Sequence, residues 1–60
     1  MTPYLVVLMF ASEPGTYDES QDTRRYQLKA SDPIDAAKLG WVKVVAEYPD
    51  RSLELESVFV

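Results

Sequence analysis

The side chains able to do chemistry in this chain are carboxylates, lysines, arginines, tyrosines and serines, because its 60 residues include neither histidine nor cysteine. That removes the imidazole base, the thiolate nucleophile and the Ser-His-Asp triad. It also argues against tight zinc, haem or iron–sulfur sites, whose usual ligands are those two residue types. No cofactor or metal is expected, and a non-enzymatic role follows from the short list of remaining groups. Three constellations are left to weigh. Asp18, Glu19 and Asp22 sit in a polar stretch from Ser12 to Thr23 and could gather around a hard cation, but their spacing lacks the alternating oxygen ligands of an EF-hand. Glu54 and Glu56 stand two residues apart, about 7 Å on an extended chain, which is the range of an inverting carboxylate pair. The pattern Leu53-Glu54-Leu55-Glu56 is far more often that of a simple amphipathic strand. Arg24, Arg25 and Lys29, with Tyr4 or Phe10, could make a basic stacking platform for single-stranded nucleic acid.

Charge weighs against that last constellation. Ten Asp and Glu against six Lys and Arg leave a net charge of −4, opposing the phosphate neutralisation on which nucleic-acid affinity depends. A small nucleic-acid-associated regulator is therefore the second reading. A third is an acidic mimic, in which the polar loop imitates phosphate charge and blocks a nucleic-acid-binding protein.

Four segments must position these residues. Tyr4 to Ala11 is continuously apolar and rich in β-branched and aromatic types, which suits a strand covered on both faces. Arg25 to Ala30 alternates, with Tyr26, Leu28 and Ala30 on one side and Arg25, Gln27 and Lys29 on the other, as a half-buried strand does. Ser31-Asp32-Pro33-Ile34-Asp35 reads as a helix start, with Asp32 as N-cap and Pro33 at the first helical position. Pro49 stops that helix. Ser52 to Val60 alternates again, with Leu53, Leu55, Ser57 and Phe59 set against Glu54, Glu56, Val58 and Val60.

The expected architecture is one α+β domain over residues 1–60: strands at about 4–11, 24–30 and 52–60, a helix at about 33–48 and an acidic loop at 12–23. Strand 1 is apolar on both faces and belongs in the centre, so a three-stranded antiparallel sheet of order 2-1-3 results, with the helix on one face. The helix stripe Ile34, Ala37, Trp41, Val44, Val45 and Tyr48 is expected against the sheet, and Leu39, Val42 and Ala46 form a second stripe beside it.

A chain this short buries only about 60% of its unfolded surface and usually needs help to be stable. Without disulfides or metal, a partner chain is the helper that remains. Either Tyr4, Val6, Leu8 and Phe10 or Leu5, Val7, Met9 and Ala11 must face away from the helix, and apolar stripes of that size mark interaction surfaces. The expected partner surface takes Tyr4, Val6, Leu8 and Phe10 with Arg25, Lys29 and Val58, plus Leu39 and Val42 on the helix, and the expected partner is a protein or an identical chain in a homodimer. Size, acidity and spare apolar surface fit a protein that acts by occupying another, in the style of phage-encoded host modulators. The longest apolar run, Tyr4 to Ala11, is far shorter than the roughly twenty residues that span a bilayer, and it lacks the basic flank of a secretory signal. A cytoplasmic protein with no membrane contact is expected.

Overall fold

The computed structural model describes all 60 residues, in the order β1 (Thr2–Ser12), β2 (Ser20–Ala30), α1 (Pro33–Glu47) and β3 (Leu53–Phe59). The three strands form one antiparallel sheet of order β2-β1-β3, and α1 packs on one of its faces, an α+β fold. β1 occupies the centre because it alone carries apolar side chains in both directions. The helix begins where the local chemistry dictates. Asp32 is extended and accepts a 2.8 Å hydrogen bond from the Asp35 N–H. The Asp35 carboxylate in turn accepts from the Ser31 N–H and hydroxyl, both at 3.3 Å, which ties the residue before the cap to the first turn.

The hairpin between β1 and β2 is tighter than the composition suggests. Gln21, Asp22 and Thr23 are polar but pair with Ala11, Phe10 and Met9, so β2 starts at Ser20 and only residues 13–19 turn the chain. The ladder of backbone hydrogen bonds to a central strand outweighs the weak strand preference of polar side chains at an edge. The turn itself uses left-handed backbone at Glu13 (φ 54°) and Gly15 (φ 79°), and the Gly15 N–H donates to Glu19 Oε1.

Val6, Leu8, Phe10, Ala30, Ala36 and Val44 form the buried core. Phe10 meets Trp41 and Tyr48 edge-on, at centroid distances of 6.1 and 5.7 Å, a preferred geometry for aromatic pairs. The helix is rotated from the stripe expected by periodicity. Ala36, Gly40 and Val44 are the residues it buries, while Ile34 and Val45 are exposed. Small side chains explain the rotation: at Gly40 a Cβ would stand 3.1 Å from both Leu8 Cδ1 and Val6 Cγ1. Backbone of α1 therefore rests directly on β1, and the wider Ile34 and Val45 are turned outward.

One irregularity reorganises β3. Leu53, Glu54 and Leu55 pair with Ser12, Ala11 and Phe10, but Ser57 pairs with Met9, so Glu56 is an extra residue in the ladder. Such a bulge puts two residues opposite one and reverses the alternation beyond it. Ser57 and Phe59 consequently share a face with Glu54, and Val58 falls with Leu53 and Leu55 on the helix side of the sheet, contrary to the simple alternation of the sequence.

Candidate surface for a partner

Residues directly opposite in antiparallel strands share a face. Val6 opposes Tyr26 and Tyr4 opposes Leu28, so the even-numbered residues of β1 lie with the apolar side of β2 under α1. Val6, Leu8 and Phe10 are completely buried there. They are core, and the expectation that they meet a partner is corrected. Tyr4 and Val58 also lie on the helix side, half-buried and at the edge respectively. Leu39 and Val42 are exposed on α1 itself, away from the sheet face that α1 leaves open. Of the residues expected to form one surface, only Arg25 and Lys29 stand on that open face, opposite Val7 and Pro3.

The open face is built from the other half of β1. Leu5 (53% exposed), Val7 and Met9 (41%) run down its centre, and the bulge delivers Phe59 (59%) opposite Val7. Sequence alternation had allowed this half of β1, but Phe59 becomes part of it only through the irregularity in β3. Ala11 continues the row yet is 4% exposed. Gln21 and Glu56 flank it and meet through a 3.3 Å hydrogen bond from Gln21 Nε2, which closes the upper end of the stripe.

Charge divides this face by corner. Arg25 and Lys29 lie on β2 at the levels of Val7 and Pro3, while Glu54 and Glu56 lie on β3 at the levels of Ala11 and the bulge. The chain's single ion pair is Arg24 with Glu47 at 3.1 Å, so none of these four charges is paired within the molecule.

Arg24 belongs to the opposite side, opposing Leu8 under the helix end. Its guanidinium lies 5.5 Å from the Tyr48 ring centroid and donates to the Tyr48 hydroxyl and to Glu47. Tyr26 Oη donates to Glu47 Oε1 at 3.0 Å. The hydrogen bond from Tyr26, and next that from Arg24, hold the Glu47 carboxyl below the usual carboxylate range. Burial, with the Glu47 bond second, raises the Tyr26 phenol. An anion at a helix C-terminus is ordinarily unfavourable, and these two donors from β2 offset that while fastening the end of α1 to the sheet. The nucleic-acid constellation is thereby split: Arg24 is engaged on one side, Arg25 and Lys29 stand on the other, Phe10 is buried and Tyr4 lies on the helix side.

The remaining candidate chemistry is dispersed as well. No three carboxylates converge. Glu19 is used by the hairpin turn, and Asp22 lies in β2 opposite Phe10. Glu54 and Glu56 share the open face but have no cleft beside them. An open hollow lined by Pro3, Tyr4, Leu5, Gln27, Leu28 and Lys29 lies at the far end of the hairpin, remote from both carboxylates. No helix is long and apolar enough to cross a membrane. No protein-family model, curated protein or solved structure matches the chain.

Proposed function

We propose that this chain is a small non-enzymatic interaction module that docks a protein through the open face of its sheet. The observation that carries this reading is the uncovered stripe of Leu5, Val7, Met9 and Phe59, an apolar centre with a charged rim, the pattern of an interface. A fold that buries nine of its 60 residues gains directly from covering that stripe. A cytoplasmic setting is part of the same proposal, supported by a stability that draws on no disulfide.

A photo-reactive phenylalanine derivative replacing Met9, compared with the same group replacing Lys38 on the outer surface of α1, tests the reading. Covalent adducts to protein are expected from position 9 and not from position 38, and they disappear when Leu5→Lys is added to the first chain while its circular dichroism is unchanged. Adducts from position 38 alone would show that the open sheet face is not the docking surface.

A further inference from the structure

We infer that the occupant of the open face is a second copy of this chain, packed sheet against sheet about a two-fold axis lying between the two sheets. The inference rests on the interaction reading above and names its partner. An isologous contact needs a surface that is complementary to itself, and this face carries both halves of its own complement. Arg25 and Lys29 occupy one corner, beside the lower half of β1, and Glu54 and Glu56 project from the diagonally opposite corner, beside its upper half, with Glu56 reaching over β1 to Gln21.

With strands about 4.8 Å apart and about 3.3 Å of rise per residue, the midpoint between those corners falls on β1 between Val7 and Met9. A two-fold axis through that point, perpendicular to the line joining the corners, exchanges them. It places the basic corner of each chain over the acidic corner of the other, twice, with the strands of the two sheets crossing obliquely. The same axis stacks Val7 and Met9 of one chain on those of its partner, with Leu5 and Phe59 around them. The apolar stripe and the charge diagonal therefore share one centre, and the four charges of this face, none of them in an intrachain ion pair, find partners. A foreign partner would have to supply an unrelated arrangement matching the same diagonal.

Size sets the expected strength. Three strands of this length present a face of about 500 Å², below the roughly 800 Å² per partner of a standard complex. The dimer is accordingly reversible, with a dissociation constant on the order of 10–100 μM.

The test uses two double variants of the full chain, Arg25→Glu with Lys29→Glu, and Glu54→Lys with Glu56→Lys, studied by sedimentation equilibrium. All four positions are exposed, and unchanged circular dichroism verifies folding. The wild-type chain is expected to dimerise, and each variant alone to lose affinity roughly 10- to 100-fold, because acid then faces acid or base faces base. Mixing the two variants is expected to restore association to within about threefold of wild type, since attraction returns at both corners. A wild-type chain that remains a 6.8 kDa species up to about 1 mM, or a mixture no better than its components, overturns the second copy as partner. The first of those results leaves the interaction reading to be decided by the Met9 adducts, so the two failures are distinguishable.

Discussion

The two faces of the sheet are made from one strand and look alike in composition, yet they have opposite fates. On the helix side Val6, Leu8 and Phe10 are fully buried under Ala36, Gly40 and Val44. On the other side Leu5, Val7 and Met9, joined by Phe59, stand uncovered or half-covered. Hydropathy does not separate the two sets, since each is an alternating half of the same apolar run. What separates them is the neighbour. A helix surface of small residues can approach one face to backbone contact, and a single 15-residue helix cannot cover two faces. The contrast teaches that an apolar strand residue acts as core or as surface according to the parity of its position.

The sharpest way to break this contrast is truncation on each side. Phe10→Ala should destabilise by about 3–5 kcal/mol, which in a domain of this size is most of its stability. Met9→Ala, one residue away, should change the monomer by less than about 1 kcal/mol. Urea denaturation of both variants at a concentration too low for association measures the difference, and equal losses would dissolve the distinction between the faces.

Next in size is Gly40. Because a Cβ there already meets Leu8 and Val6 at 3.1 Å, Gly40→Val should lift α1 from β1 and cost about 2–3 kcal/mol, seen as a lower thermal midpoint. Val42→Ala, two residues along on the exposed side, should leave that midpoint within about 3 °C.

The smallest effect concerns the fastening of α1. The Glu47 carboxyl is held below its ordinary range in the folded chain, so its contribution is present above the unfolded carboxylate pKa and is lost as pH falls through the lower folded value. Glu47→Gln should therefore make the fall in stability on acidification shallower, measured by urea denaturation across pH 2 to 6, without altering association through the open face.

Much of the fold was legible because its signals are local. The continuous apolar run of Tyr4 to Ala11 marks a central strand, Asp32-Pro33 marks a helix start, and Pro49 marks its end, each through a restriction that acts within a few residues. The surface was harder to read for a specific reason. Which half of β1 faces the helix depends on the hairpin register, in which Ser12 opposes Ser20 and even positions therefore oppose even ones. That register is set by the seven residues of a turn whose ends the polar composition of Gln21 to Thr23 conceals. A turn one residue longer or shorter would have exchanged the two sets. Phe59 was hidden by a second shift of the same kind, because the ladder gains an extra residue at Glu56 and the simple alternation of Ser52 to Val60 gives no sign of it.

The helix shows the same limit from another direction. Periodicity places Ile34 and Val45 on the buried stripe because they are the bulkier residues, whereas close approach selects Ala36 and Gly40, which are small enough to let backbone touch the sheet. By itself, then, the sequence determined the number, kind and order of the elements, the central place of β1 and the exclusion of histidine and cysteine chemistry, since these follow from residue type and short-range periodicity. Only the tertiary structure decided which side of β1 became core, where Phe59 points and how Arg25, Lys29, Glu54 and Glu56 fall at opposite corners of one face. Those depend on register and on the packing distance between elements, which are properties of pairs of segments and are written in neither segment alone.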